Sequence, residues 1–438
     1  MSKDIEKNNQ DEHTKKYLYW IITAFLIPLP WIFIKLMDLL NIFKWDYEHY
    51  AVVSAIMTGI SIIAGAFLVS WAAESTQKYL PPAFVLAVIA IINVIPEYVV
   101  DIYFTWVAGN NPEYTHYAIS NMTGANRMLI GIVWPLILIV YFIARARENK
   151  KNILPSYIQM EKSNILEISF LLISTLYCFI IPFKGTLSLF DTLILFSIFG
   201  YYIYLATKMG KREPELEGPA HYISSLPEKR KKILLVAMFF FSAVTFLASA
   251  EPFGESLLVI GTYVATKFGF DPQLAKFLMV QWVAPIASES PEIIIVVLFA
   301  WKLLATDAFT TVVSSKINQW TLLVGFIPLV YFISLFYHGH TPESMKLDIL
   351  QKQEIFLTAA QSLFALIILL DFKFTSLKAL LIALLFFAQL VNPNIRMEVA
   401  YVYIVLSFIY LPFVINKTTV PLLKGSINYV LNQVRGQK

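Results

Sequence analysis

The chain has 438 residues, of which 58% are apolar and only 15% charged, and its mean hydropathy is +0.64. An ordinary soluble chain carries about 25% charged residues, and a single core could not hide this much apolar surface, so a water-soluble enzyme is excluded and a lipid bilayer is the natural solvent and partner. The net charge of +4 gives no support to nucleic-acid binding, and the single cysteine, Cys178, forbids an internal disulfide or a cysteine metal cluster.

Residues 1–16 are polar and charged, and the apolar run after them has spanning length without a small-residue cleavage site, so they read as a cytoplasmic tail. A spanning helix needs roughly 20 mostly apolar residues. Twelve runs qualify: 17–40, 51–73, 82–107, 117–144, 165–183, 187–206, 233–268, 273–301, 309–336, 354–372, 375–391 and 398–415. The stretch 233–268 is interrupted by Glu251-Pro252 and Gly254-Glu255, and reads either as two short spans or as one long helix kinked at Pro252. Loop charge separates the two. With one span there and the N-terminus inside, 24 of the 34 Lys and Arg fall in inside segments and 7 outside, as the positive-inside rule requires. Two spans would put the basic C-terminal tail outside.

The longest polar interruption, 207–232, reads as a charged cytoplasmic linker between two halves. The halves share landmarks in order. INVIPEYVVDIYF (92–104) corresponds to ASESPEIIIVVLF (287–299), each with Pro-Glu inside an apolar run. AISNMTGANRMLIGIVWPLILIVYF (118–142) corresponds to VVSSKINQWTLLVGFIPLVYF (312–332), each polar first and then closing on a Gly followed by Pro-Leu. Five spans per half is an odd number, so the halves enter the membrane with opposite orientation. The expected fold is therefore an all-α polytopic membrane protein of about twelve transmembrane helices: two inverted five-helix repeats plus one extra helix at each end. The segments are the tail 1–16, an extra N-terminal helix 17–40, a first repeat 51–206, the linker 207–232, a second repeat 233–391, an extra C-terminal helix 398–415 and a basic cytoplasmic tail 416–438. Both termini lie in the cytoplasm and the chain in the cell membrane. Inverted repeats place a substrate site at the midplane between interrupted helices.

A carboxylate in a spanning helix costs ~2.5–3.5 kcal/mol. Glu97 and Glu292 both sit mid-run after a proline, and Pro96 and Pro291 disturb the carbonyls of Ile92 and Ala287. Carboxylate plus freed carbonyl oxygens suit a hard cation such as Na⁺ or Ca²⁺, or a proton; a protonated glutamate bonding a neighbouring helix is the structural alternative. At helical spacing, Asn93 and Asp101 share a face with Glu97, and Ser288 and Glu289 with Glu292. Asp101 and Glu289 are either proton-relay groups or charge partners. The polar stretches add Ser120, Asn121, Thr123 and Asn126 in one half, and Ser314, Ser315, Asn318 and Gln319 in the other. Arg127 and Lys316 lie in the same stretches, where a tethered cation can neutralise a carboxylate and replace a metal ion, or snorkel to an interface. Four acids against these two bases leave −2, enough for two monovalent ions or one divalent.

This pattern resembles the calcium:cation antiporter superfamily, the sodium/calcium exchanger membrane-region family, and in SSKINQWTLLVGFIPL its cation/proton exchanger-like form. The resemblance covers about 51–206 and 233–391. It implies that Glu97 and Glu292 are the central metal-binding carboxylates, and that Asn121, Asn126, Ser315, Asn318 and Gln319 are ligands. It also implies transported small cations (Na⁺, Ca²⁺ or H⁺), no cofactor and no enzymatic activity. Ile92-Asn93-Val94 stands where the family has Gly-Asn/Thr-Ser, and Arg127 and Lys316 interrupt the motif region, so sodium/proton or calcium/proton antiport stands beside sodium/calcium exchange. The expected function is secondary antiport by alternating access on Glu97 and Glu292. A non-transporting scaffold or sensor on the same fold is the rival. Nothing in the sequence specifies an oligomeric state.

Overall fold

The computed structural model describes residues 16–46, 48–76, 95–148, 157–209, 218–415 and 419–435. The helices in chain order are α1 (Lys16–Leu39), α2 (Ala51–Thr76), α3 (Ile95–Ala108), α4 (Pro112–Arg147), α5 (Lys162–Lys184), α6 (Leu189–Lys208), α7 (Gly218–Ser225), α8 (Glu228–Phe268), α9 (Pro272–Trp301), α10 (Ala305–Tyr337), α11 (Ile349–Leu369), α12 (Ser376–Val391), α13 (Pro393–Val414) and α14 (Thr419–Arg435). Among the described residues ten of these, all but α3, α7, α12 and α14, are long and apolar enough to cross a membrane. The first half of the run 82–107 lies outside the described residues, and α3 is its described end. The tail 1–16 also falls outside them, apart from Lys16 at the start of α1. The stretch 233–268 belongs to one 41-residue helix, α8, and is not split at Pro252.

The chain forms two compact units: Met1–Tyr103 with Lys211–Pro291, and Phe104–Gly210 with Glu292–Lys438. In the first, α2 and α8 pack along each other. Gly65 and Gly59 allow this: a Cβ on either would stand 3.0 Å from Phe246 or 3.2 Å from Phe253 of α8. Ser242 Oγ crosses to the carbonyl of Gly65 at 3.0 Å. Pro252 supplies no N–H to the carbonyl of Ala248. The Trp31 indole of α1 donates to that carbonyl at 2.9 Å, so α1 closes the gap that the proline opens. Lys35 pairs with Glu251 at 3.1 Å just beyond it.

The segment read as a charged linker contains helix in its described part. Its described part holds α7, and α8 already begins at Glu228. Ser75 Oγ donates to the Ala220 carbonyl at 3.1 Å, and Ile223 is buried with Ile21, Leu68, Trp71 and Met238. An apolar side every third or fourth residue was masked in the sequence by the surrounding charge.

In the second unit, α5 and α13 both pack on α11, and α6 packs on α10. Two short antiparallel ladders tie loops together: β1 (Tyr157–Gln159) pairs with β4 (Lys373–Thr375), and β2 (Thr186–Leu187) with β3 (Met345–Lys346). Helix boundaries follow local chemistry. Gly185, at φ +74°, ends α5 in the left-handed region, and Asp348 and Gln351 cap α11 reciprocally at 2.7 and 3.0 Å. The tail read as merely basic contains α14, which buries Thr419, Ser426 and Val430 from one face.

Helices α4 and α10 each contain one π turn, at Leu129–Val133 and Gln319–Leu323. The shared glycine after each polar stretch has a packing reason. Gly131 receives the Phe386 ring of α12 where a Cβ would sit, and a Cβ on Gly325 would stand 2.8 Å from the Phe196 ring of α6.

Candidate functional site

Asn93 lies outside the described residues. Glu97 and Asp101 are both buried, one turn apart on α3 in the first unit, as their spacing requires. The same unit holds Ser288 and Glu289, buried on α9. Two prolines, Pro285 and Pro291, interrupt the bonding of α9 around these residues. Ser288 turns its hydroxyl toward the Ala284 and Pro285 carbonyls at 3.4 Å each.

The division between the units falls within α9, between Pro291 and Glu292. In the second unit the Ser315 hydroxyl of α10 donates to Glu292 Oε2 at 2.8 Å. Glu292 Oε1 is buried with no hydrogen-bond partner among the described residues. An oxygen in that condition suits a proton or a hard cation. The polar stretches of α4 and α10 are largely buried: Ser120, Asn121, Thr123 and Asn126 on one, and Lys316, Asn318 and Gln319 on the other, with Ser314 and Ser315 half-buried. Thr123 donates its hydroxyl to the Ile119 carbonyl at 2.7 Å. The two stretches meet where Lys316 Nζ donates to the backbone carbonyl of Asn126 at 2.5 Å and to its Oδ1 at 2.7 Å.

Arg127 turns to the other side of α4. Its guanidinium forms an ion pair with Glu354 of α11 and donates to Gln389 of α12 at 2.9 Å. Arg396 at the start of α13 takes the second oxygen of Glu354 at 3.1 Å, and Gln361 donates to the Arg127 carbonyl at 3.4 Å. The acid that Arg127 pairs with is therefore Glu354. Sequence reasoning passed over Glu354 and Glu167 because each stands at the edge of an apolar run, where a first-turn acid is ordinary. Both are buried. Glu167 stands 3.5 Å from the Tyr202 hydroxyl, which is itself 3.4 Å from Ser314.

Among the described residues no three His, Cys, Asp or Glu gather as a metal-holding group.

The family described as sodium/calcium exchanger protein matches residues 50–208. The crystal structure of the H⁺/Ca²⁺ exchanger CAX aligns with 96% of this chain and 99% of its own, at 37% identity and a TM-score of 0.83. The chain belongs to the calcium:cation antiporter superfamily. Within that superfamily it is a cation/proton exchanger-like member, a membrane transport protein and not an enzyme. A structure of the sodium-calcium exchanger NCX_Mj aligns with 78% of the chain and 98% of its own, at 16% identity and a TM-score of 0.50, a likeness of fold alone. No curated protein sequence matches the chain.

Proposed function

We propose that this chain is a secondary antiporter that exchanges Ca²⁺ for H⁺, with Na⁺ as the competing cation. The observation that carries this is the 37% identity, across 96% of the chain, to a protein whose structure is that of an H⁺/Ca²⁺ exchanger. The layout that goes with it has twelve spans, two inverted repeats at 51–206 and 233–391 joined by the linker 207–232, one extra helix at each end, and both termini on the cytoplasmic side of the cell membrane. Paired features support the repeats: a Pro-Glu in each half, a π turn in α4 and in α10, and a glycine after each polar stretch that an aromatic ring approaches.

In this reading Glu97 and Glu292 bind the transported ion. Asn93, Ser288, Asn121, Asn126, Ser315, Asn318 and Gln319 supply neutral oxygens, and Asp101 and Glu289 relay protons or balance charge. Two ionised carboxylates with no ion resist desolvation, so the empty carrier does not pass through its occluded state. Either Ca²⁺ or protons neutralise them and permit alternating access. Exchange follows from this competition, and leak is suppressed by it.

The test is a proton gradient in vesicles holding the purified chain, challenged with Ca²⁺, Na⁺, K⁺ and Li⁺ in turn. Ca²⁺ should dissipate the gradient, and Glu97→Gln or Glu292→Gln should slow that dissipation by about 10–100-fold or more, the loss that even outer-shell partners of a metal site produce. If no cation dissipates the gradient, proton-coupled antiport is wrong. If both variants exchange like the parent chain, the carboxylate assignment is wrong.

A further inference from the structure

We propose that Lys316 is a resident cation: its ammonium fills an oxygen site on Asn126 and so fixes how many positive charges the chain moves in each cycle. The proposal rests on the antiport reading above and assigns one residue a part in its stoichiometry. Lys316 is 0% exposed. Its Nζ binds the backbone oxygen of Asn126 at 2.5 Å and the amide Oδ1 of the same residue at 2.7 Å. A carbonyl and an amide oxygen on one residue form a pair of hard, neutral donors, the kind that ligates Ca²⁺ or Na⁺. Here a tethered ammonium holds that pair.

The arrangement is built in. Lys316 stands three residues before the π turn Gln319–Leu323, and Asn126 three residues before the π turn Leu129–Val133. The two residues therefore occupy equivalent stations on α4 and α10, one presenting the cation and the other its oxygens. A π turn disturbs the regular carbonyl ladder, which lets side chains reach backbone oxygens beside it. Lys316 does so at Asn126, Gln361 does so at Arg127, and the Cys178 thiol reaches the Trp320 carbonyl at 3.7 Å. Trp320 supports the ammonium from the other side, with its ring centroid 5.3 Å from Nζ, and its own indole N–H is anchored on Ser362 at 2.8 Å. Asn126 is held as well, its Nδ2 donating to the Met122 carbonyl at 2.9 Å. Lys316 also neighbours Ser315, whose hydroxyl binds Glu292. One turn of α10 thus carries both a fixed positive charge and a contact to a candidate ion-binding acid. A cation already in place keeps a further mobile one out of the Asn126 oxygens and sets the charge that the ion must complete.

Two variants change the local charge by the same amount from opposite sides. Lys316→Gln removes the cation, and Asn126→Asp adds an anion beside it. Both are compared with the parent chain in vesicles for Ca²⁺ flux, charge moved per Ca²⁺, and sensitivity to added Na⁺. Lys316→Gln frees the Asn126 oxygens for a mobile monovalent cation, whereas Asn126→Asp keeps the lysine in place but cancels its charge, so that one more positive charge is needed elsewhere in the site. In both, Na⁺ should alter Ca²⁺ flux about tenfold more than in the parent and one more positive charge should accompany each Ca²⁺. Lys316→Arg should keep the parent's charge count. If Lys316→Gln does not fold, Asn126→Asp carries the test, since it strengthens the link to the lysine. A lysine with a purely structural role gives a different result: the parent chain moves Ca²⁺, both variants show the parent's charge per Ca²⁺ and Na⁺ sensitivity, and this proposal falls while the antiport reading stands. A parent chain that moves no cation overturns both.

Discussion

Arg127 shows how a charge inside an apolar helix is kept. Its guanidinium, Glu354 and Arg396 form a buried cluster, with Gln389 accepting from the guanidinium and Gln361 donating to the Arg127 backbone carbonyl. Such a cluster is weak evidence for net stability, yet removing one partner strands the others, at a cost of about 3–5 kcal/mol. Glu354→Gln should therefore lower the thermal unfolding midpoint of the detergent-solubilised protein markedly. Its effect on ion preference should be small beside that of Lys316→Gln. A charge preference that moves with Glu354→Gln would place this cluster in the ion path. At this scale much was legible in the sequence. Glu97, Glu292, Arg127 and Lys316 stand out because a charge within a long apolar run needs a reason. What each charge faces was not legible, since the partners of Arg127 lie more than two hundred residues away. Glu167 and Glu354 escaped because an acid near a helix start looks ordinary.

Among the elements, close approach of backbones explains the packing geometry better than composition does. A Cβ on Gly261 of α8 would lie 2.7 Å from the Cα of Lys276 in α9. Backbone cannot step aside as a side chain can, so Gly261→Ala should cost about 1–3 kcal/mol in thermal stability. Gly325→Ala meets the Phe196 ring, which can rotate, and should cost less. Equal losses at the two sites would contradict this ranking. Hydropathy located eleven of the twelve runs as helices in the described residues, because bilayer thickness fixes the length of an apolar helix. The docked α7 and the amphipathic α14 were invisible to the same method. Each is short and hides its apolar face behind neighbouring charge, and only their contacts with α2 and α5 reveal them. The π turns left no sequence signal at all.

For the whole chain, topology is the property most open to direct measurement. Cys178 is the single cysteine and is buried, so Cys178→Ala gives a background in which one introduced thiol reports its own side. Ser2→Cys and Gln437→Cys should react with an impermeant maleimide in everted vesicles and stay unreactive in intact cells. Labelling of either one in intact cells would overturn the placement of both termini inside. The charge count of the loops made this expectation possible from sequence. The division of the chain into two compact units, which cuts α3 after Tyr103 and α9 after Pro291, was not legible there, because it reflects packing between residues remote in sequence.

The π turns carry a consequence for helix length. Each one adds a single residue to an otherwise regular α-helix, so the polar part of α4 and its apolar remainder are out of phase by about 100° and 1.5 Å of rise. Deleting Ile130 would restore an ordinary ladder without removing any polar group. It would also swing Asn126 around the axis, away from Lys316. The span is therefore fixed in length to the single amino acid, a constraint set by angular register and independent of hydrophobic thickness.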